Sequence, residues 1–251
     1  MSTPPLWMEE WPVAWPCQAG PWTVSDGLRF GTLSPEGGHA TEIRPADDPA
    51  LPALRGAMAL GQLVGYRAGR RAVVATPTSF IKILRRTRIE RVVETHVALG
   101  ALAKGISVPR IRSSHANGWL ELDIVDGESL HRLAGRSAID DWEVAVRVAE
   151  LVERFHTLPA PDHLLPRIAD DAVAWADNVG RAEAAVGLAL REIAYQLPVL
   201  EPRPVVVVHG DLHDKNIFLS DRGSAIIDLD GVGLGAPEDD LSMTAPGRSA
   251  A

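Results

Sequence analysis

The chain has 251 residues, enough to bury a core without staples, and its hydrophobic fraction of 46% and charged fraction of 23% are globular values. They exclude a wholly disordered, collagen-like or disulfide-scaffold protein. The formal charge of −8 argues against nucleic acid as the main partner, because nucleic acid selects a basic face. Cys17, the one cysteine, permits no internal disulfide and fits a reducing, cytoplasmic compartment. The first residues carry acids and prolines instead of a targeting leader, and no run approaches the roughly 20 apolar residues of a membrane span.

Residues 1–27 hold four of the seven tryptophans (Trp7, Trp11, Trp15, Trp22) among five prolines. That proline density works against a regular helix, so the expectation is an irregular arm with its indoles on the main body. A partner-binding arm is the alternative. Residues 28–34 and 40–43 read as paired strands around Pro35-Glu36-Gly37-Gly38. Asp48-Pro49 starts a short helix to about Leu60. Residues 63–67 and 71–76 form a hairpin around Ala68-Gly69-Arg70, and SFIKIL at 79–84 is the next strand. Residues 87–104 read as a helix, with Ile89, Val92, Val93, Val97, Leu99 and Leu102 at helical spacing and Gly105 as the stop. Asn117-Gly118 marks a further hairpin between 110–114 and 119–125.

After Gly127 the pattern turns helical. Residues 140–156 are amphipathic, and a second stretch runs from about 170 to 196 with a break near Gly180. Residues 205–208 are a short apolar strand, and 217–220 with 224–228 flank another hairpin turn, Asp221-Arg222-Gly223. A sheet-rich first part followed by a helix-rich second part predicts an α+β protein of two lobes. The expected division is an arm at 1–27, a nucleotide-binding lobe at 28–126 and a catalytic lobe at 127–251.

The stretch that carries chemistry is His209-Gly210-Asp211-Leu212-His213-Asp214-Lys215-Asn216, directly after the apolar strand. Asp228, in IIDLDG, ends the next hairpin. Groups at the ends of short strands are held rigidly, as a reacting group must be. Phosphoryl transfer from ATP needs a carboxylate for the attacking hydroxyl, oxygen ligands for magnesium and a cation for the phosphates. Asp211 suits the first role, and Asn216 and Asp228 the second, as hard oxygen donors. The H-x-D-L-x-x-x-N spacing matches the kinase catalytic loop apart from its middle arginine. The cation is Lys82, inside the apolar strand FIKIL; only three of the 25 basic residues are lysines. A kinase pairs this lysine with a glutamate on the following helix. Glu94 is the candidate, and Glu90 lies one turn earlier.

HGDLHDKN, IIDLDG and APEDDL together resemble the aminoglycoside phosphotransferase and choline kinase group of small-molecule kinases, which have a protein-kinase-like two-lobed fold. The resemblance extends to FIKIL, the helix with Glu94 leading to SVPRI, the strand LELDIVDG and the helix ending ERFHTL. It covers roughly residues 63 to 241, with the YRAGRR hairpin as the loop over the nucleotide. It implies an ATP- and magnesium-dependent kinase acting on a hydroxyl of a small molecule. Asp211 is then the catalytic base, Asn216 and Asp228 bind magnesium, and Lys82 with Glu94 forms the ATP-lysine pair. The backbone near Asp123 and Val125 forms the adenine hinge, and Asp240 is a structural aspartate.

Two departures accompany the resemblance. Gly61, Gly65 and Gly69 do not spell a clear glycine-rich loop, and the sequence stops ten residues after Leu241, where relatives continue with further helices. The second hypothesis is therefore a truncated, inactive kinase-like chain that binds nucleotide. His209 is expected to stabilise its loop by hydrogen bonding. His213, Asp214 and Lys215 read as a solvated turn or as phosphate contacts, and Asp230 as a second metal contact or as support. Two other motifs are dismissed. Gly231-Val232-Gly233-Leu234-Gly235-Ala236 imitates a dinucleotide loop but lacks room for the required helix and strand. A dinuclear metallophosphoesterase would need a D-x-H before the Gly-Asp element and an Asn-His after it, and neither occurs. Between residues 209 and 251, eight acids outnumber three bases, which favours cationic acceptors such as aminoglycosides. The acceptor and the oligomeric state are not legible.

Overall fold

A computed structural model describes residues 13–15, 22–34, 40–103, 105–134, 141–164, 172–196 and 204–240. Trp7, Trp11 and the segment from Leu241 onward lie outside the described residues. The chain divides into two compact units: residues 1–89, 115–120 and 168–201, and residues 90–114, 121–167 and 202–251.

The first unit begins with four antiparallel strands in sequential order: β1 (Val13–Trp15), β2 (Trp22–Ser25), β3 (Phe30–Leu33) and β4 (Ala40–Glu42). Part of the expected irregular arm is thus a sheet. Prolines 12, 16 and 21 exclude a helix but leave runs of three or four residues, which suffice for short strands. Trp22, Val24 and Leu33 are buried together, with Val179 against them.

The helix expected over 48–60 shrinks to a 3-10 turn, Pro45–Asp47, and α1 (Leu54–Met58). Pro52 disfavours helical backbone at Leu51, so the helix starts only beyond it. Next come β5 (Gln62–Arg67), β6 (Arg71–Ala75) and β7 (Ser79–Leu84). In strand order β5-β6-β7-β9-β8, the sheet also includes β9 (Trp119–Asp123), of which only Trp119 and Leu120 belong to this unit, and β8 (Ile111–His115), of which only His115 does. Alternation puts Ala72, Val74, Ile81 and Ile83 on one face, where Leu51, Leu54 and Ala57 cover them.

Also in this unit, α5 (Ala172–Ala182) and α6 (Ala184–Gln196) form a helical hairpin. The helix runs straight through Gly180 and breaks at Glu183 instead. The glycine marks close packing, not a stop: a Cβ on Gly187 would lie 2.2 Å from the Gly180 Cα. Arg191 pairs with Asp177 across the same seam.

The second unit contains most of α2 (Arg86–Leu102), then β10 (Glu128–Ser129), α3 (Leu130–Leu133) and α4 (Asp141–His156). Short strands follow: β11 (Val206–Val208), β12 (Ile217–Ser220), β13 (Gly223–Ile226) and β14 (Gly233–Gly235). β11 pairs antiparallel with β14, and β10-β12-β13 form a small sheet. The buried side of α2 is Ile89, Val92, Thr95, His96 and Leu99, whereas Val97 is 62% exposed. Val97 falls on the opposite face of a 3.6-residue helix, so two polar residues take core positions there. Leu99, Leu151, Phe155, Leu212, Ile217 and Ile226 form the core directly beneath the loop that follows β11.

Candidate active site

β11 delivers the chain to His209 as it leaves the core, and His209 is itself fully buried. Its Nε2 donates to the Ile227 carbonyl at 2.8 Å, and its Nδ1 accepts the Asp211 amide at 3.3 Å. That pattern requires a neutral imidazole with the proton on Nε2. Burial, the largest influence, keeps its pKa below the usual histidine range, although Ile227 and the carboxylates of Asp240, Asp228 and Asp211 pull the other way. The Phe155 ring lies 6.2 Å away, centroid to centroid. His209 is therefore the loop stabiliser expected of it.

Asp240 holds the other side of the loop. It is fully buried and accepts three hydrogen bonds, from the His209 amide (2.8 Å), the Gly210 amide (2.7 Å) and His156 Nε2 (3.0 Å). Burial works to raise its pKa, but those donors outweigh burial and hold it below the usual carboxylate value.

The same loop presents Asp211, half-buried, with its backbone fixed at both ends. Its amide meets His209, and its carbonyl accepts Asn216 Nδ2 at 2.9 Å. The Asn216 Nδ2 also donates to His213 Nε2 at 3.2 Å, and the Asn216 carbonyl accepts the Ile227 amide at 3.0 Å. Both amide hydrogens of this buried side chain are thus engaged, and Oδ1 is the polar atom it has left for a cation. Asp214 Oδ2 pairs with His131 Nδ1 at 2.6 Å, and Asp214 Oδ1 faces His213 Nδ1 at 3.7 Å. His131, Asp214 and His213 therefore form a polar row ending on Asn216, which ties down what reads in sequence as a solvated turn. Lys215 is exposed.

Asp228 follows β13 with φ 63° and ψ 53°, the single left-handed non-glycine residue among those described. Such backbone is uncommon outside glycine and clusters at functional sites. Among the described residues no group of three or more His, Cys, Asp or Glu could hold a metal by itself. One carboxylate and one amide oxygen, Asp228 and Asn216, are hard oxygen donors of the kind magnesium takes.

The remaining predicted residues lie elsewhere. Lys82 is buried in the middle of β7, opposite Val73 of β6. Glu94 is on an exposed face of α2. Lys82 belongs to the first unit and Glu94 to the second, so their pairing is part of the proposal below. Asp123 ends β9; its amide donates to the Arg110 carbonyl at 2.9 Å and its carboxylate pairs with Arg112. Val125 lies just beyond, half-buried. The sequence reading missed His156 and His131. His156 carries a signal, since it is four residues after buried Val152 and so shares the apolar face of α4.

The two titrations act in one direction. The unfolded chain binds a proton at residue 209 as pH falls through 6.5, while the buried imidazole takes one only at lower pH. Stability should therefore fall below about pH 6.5. Asp240 adds stability that is present above 3.8 and lost as pH falls through its lower folded value. The melting temperature is expected to decline from pH 7 to 5, and His209→Gln should flatten that decline in calorimetric scans.

The sequence profile of the phosphotransferase enzyme family matches residues 64–250, and the chain belongs to that family. Solved structures agree on the fold. The complex of aminoglycoside phosphotransferase APH(2'')-IIa with streptomycin and ATP superposes with a TM-score of 0.56 at 13% identity, over 76% of this chain and 72% of that one. A type VIII aminoglycoside-3'-phosphotransferase gives 0.54 at 22% identity, over 80% and 83%. APH(3'')-Id from Streptomyces rimosus gives 0.50 at 22% identity, over 78% and 80%. No curated protein matches the chain significantly. The α+β, protein-kinase-like architecture expected from the motifs is the observed one.

Proposed function

We propose that the chain transfers the γ-phosphate of ATP to a hydroxyl of a small molecule in a magnesium-dependent reaction. The observation that carries this reading is the Asp211–Asn216 arrangement. One side chain amide locks the Asp211 backbone through Nδ2, which leaves its Oδ1 to serve a metal in this reading.

In this reading Asp211 orients the acceptor hydroxyl and accepts its proton as the oxygen attacks the γ-phosphorus; the bond to the β-phosphate oxygen breaks and ADP leaves. Asn216 Oδ1 and the Asp228 carboxylate hold the metal. Bound there, magnesium would neutralise charge that develops on the phosphates. Lys82 steadies the α- and β-phosphates, and Glu94 orients Lys82. The Asp123 amide donates to the Arg110 carbonyl, and the backbone near Asp123 and Val125 serves as the adenine hinge in this reading. The order β5-β6-β7, with Lys82 on β7, supports the reading of the β5–β6 turn as the loop over the nucleotide. The division near residue 127 into nucleotide-binding and catalytic lobes is part of the same reading. The acidic end of the chain favours cationic acceptors, and relatives of known structure bind aminoglycosides.

The test is transfer of labelled γ-phosphate to a panel of amino-sugars, amino alcohols and sugars. A labelled product with wild type, reduced at least about tenfold in Lys82→Ala, is expected. Binding of ATP with no transfer to any acceptor would leave a nucleotide-binding module in its place.

A further inference from the structure

We propose that Asp48, which precedes the family-matched segment, is a positioning residue for the β5–β6 turn and sets that turn in its nucleotide-receiving form. The inference rests on the reading of this hairpin as the nucleotide loop.

The turn spans residues 67–70, and its peptide groups are gripped by side chains from elsewhere in the first unit. Asp48 is buried, and its Oδ2 accepts two donors, the Gly69 amide at 2.7 Å and the Tyr66 hydroxyl at 2.9 Å. Its Oδ1 accepts the Ala50 amide at 2.9 Å, so the carboxylate is itself held in place. Arg85 Nε donates to the Gly69 carbonyl at 2.5 Å, and Thr23 Oγ1 donates to the Ala68 carbonyl at 3.1 Å. The turn closes on itself through Arg70 N to the Arg67 carbonyl at 2.9 Å. Gly69 has φ +67°, a conformation that costs glycine nothing sterically but that free glycine would also leave readily. Burial, then the bond to Asp48, pushes the Tyr66 pKa upward, so its hydroxyl remains a donor at all physiological pH values.

These contacts have a consequence for binding. A mobile loop must be ordered when a nucleotide arrives, and that ordering subtracts from affinity. Here the ordering is built into the fold itself, by a carboxylate and a threonine that precede the family match at residue 64. Asp48 touches no nucleotide in this scheme; it acts through Gly69 and Tyr66.

The experiment titrates a fluorescent N-methylanthraniloyl ATP with magnesium into the full chain, and follows amide hydrogen exchange of the 66–71 peptide without nucleotide. Asp48→Asn is expected to weaken binding about tenfold, the equivalent of one charge-assisted hydrogen bond. It should also speed exchange in that peptide. Tyr66→Phe and Thr23→Val should shift both readouts the same way by less, and they serve if Asp48→Asn does not fold. Leu33→Val, in the four-stranded sheet, lowers stability without touching the turn; it should leave affinity unchanged at a temperature where every variant is folded. Equal affinity for Asp48→Asn and wild type would overturn the proposal alone. Failure of wild type to bind the probe would overturn the nucleotide reading and the proposal with it.

Discussion

Asp211→Asn is expected to lower kcat for phosphoryl transfer by about a hundredfold to ten-thousandfold, the range lost when a positioned general base is removed. The melting temperature should stay close to that of wild type. The reason for the split is geometric. The loop is fixed through the backbone of Asp211, by His209 on its amide and Asn216 on its carbonyl, and the substitution leaves both contacts in place. Only the carboxylate that takes the proton changes. Measurement of labelled phosphate transfer beside a thermal melt separates the two effects. A variant with wild-type turnover would remove Asp211 from the chemistry, and one that lost turnover only by unfolding would make the residue structural.

Asp240→Ala should do the reverse and unfold the second unit first. Its carboxylate is the common acceptor of the His209 amide, the Gly210 amide and His156 Nε2. Each hydrogen bond to a charged group is worth about 1.5–3 kcal/mol, and a buried donor left without a partner adds its own desolvation cost. The loss should therefore reach several kcal/mol, or about 10 °C in melting temperature for a chain of this size. Denaturant melts of wild type and Asp240→Ala check it. A shift of only a degree or two would mean that water or a neighbour replaces the carboxylate.

These two residues also mark what could be read from the sequence. Asp211, Asn216 and Asp228 stand out as candidates because phosphoryl transfer needs particular groups at fixed separations along a strand, a loop and a hairpin. Asp240 was visible only through the resemblance. Its three donors lie 30, 31 and 84 residues away, and nothing local announces them. The hairpins around Gly69, Gly118 and Gly223 followed from turn chemistry, which is local. Helix α1 was overestimated because Pro52 acts on the residue before it, and the stripe of α2 was misjudged because Thr95 and His96 took core positions that Val93 and Val97 would fill by hydropathy alone. The arm at 1–27 was read from what its prolines forbid. Its strands depend on partners further along the chain, which hydropathy does not reveal. Asp48 was read as a helix start, but the helix begins at Leu54, and the Asp48 carboxylate instead reaches 21 residues on, to the Gly69 amide.

The proposed reaction depends on Asn216 and Asp228 holding magnesium for a bound nucleotide. Calorimetric titration of ATP into the purified chain, with and without magnesium, tests it most directly when repeated on Asp228→Ala. Wild type should bind ATP much more tightly with magnesium than without it, and Asp228→Ala should bind with little response to the ion while keeping its cooperative melt. Wild-type binding that is equal with and without magnesium, or a magnesium response that survives intact in Asp228→Ala, would contradict the claim.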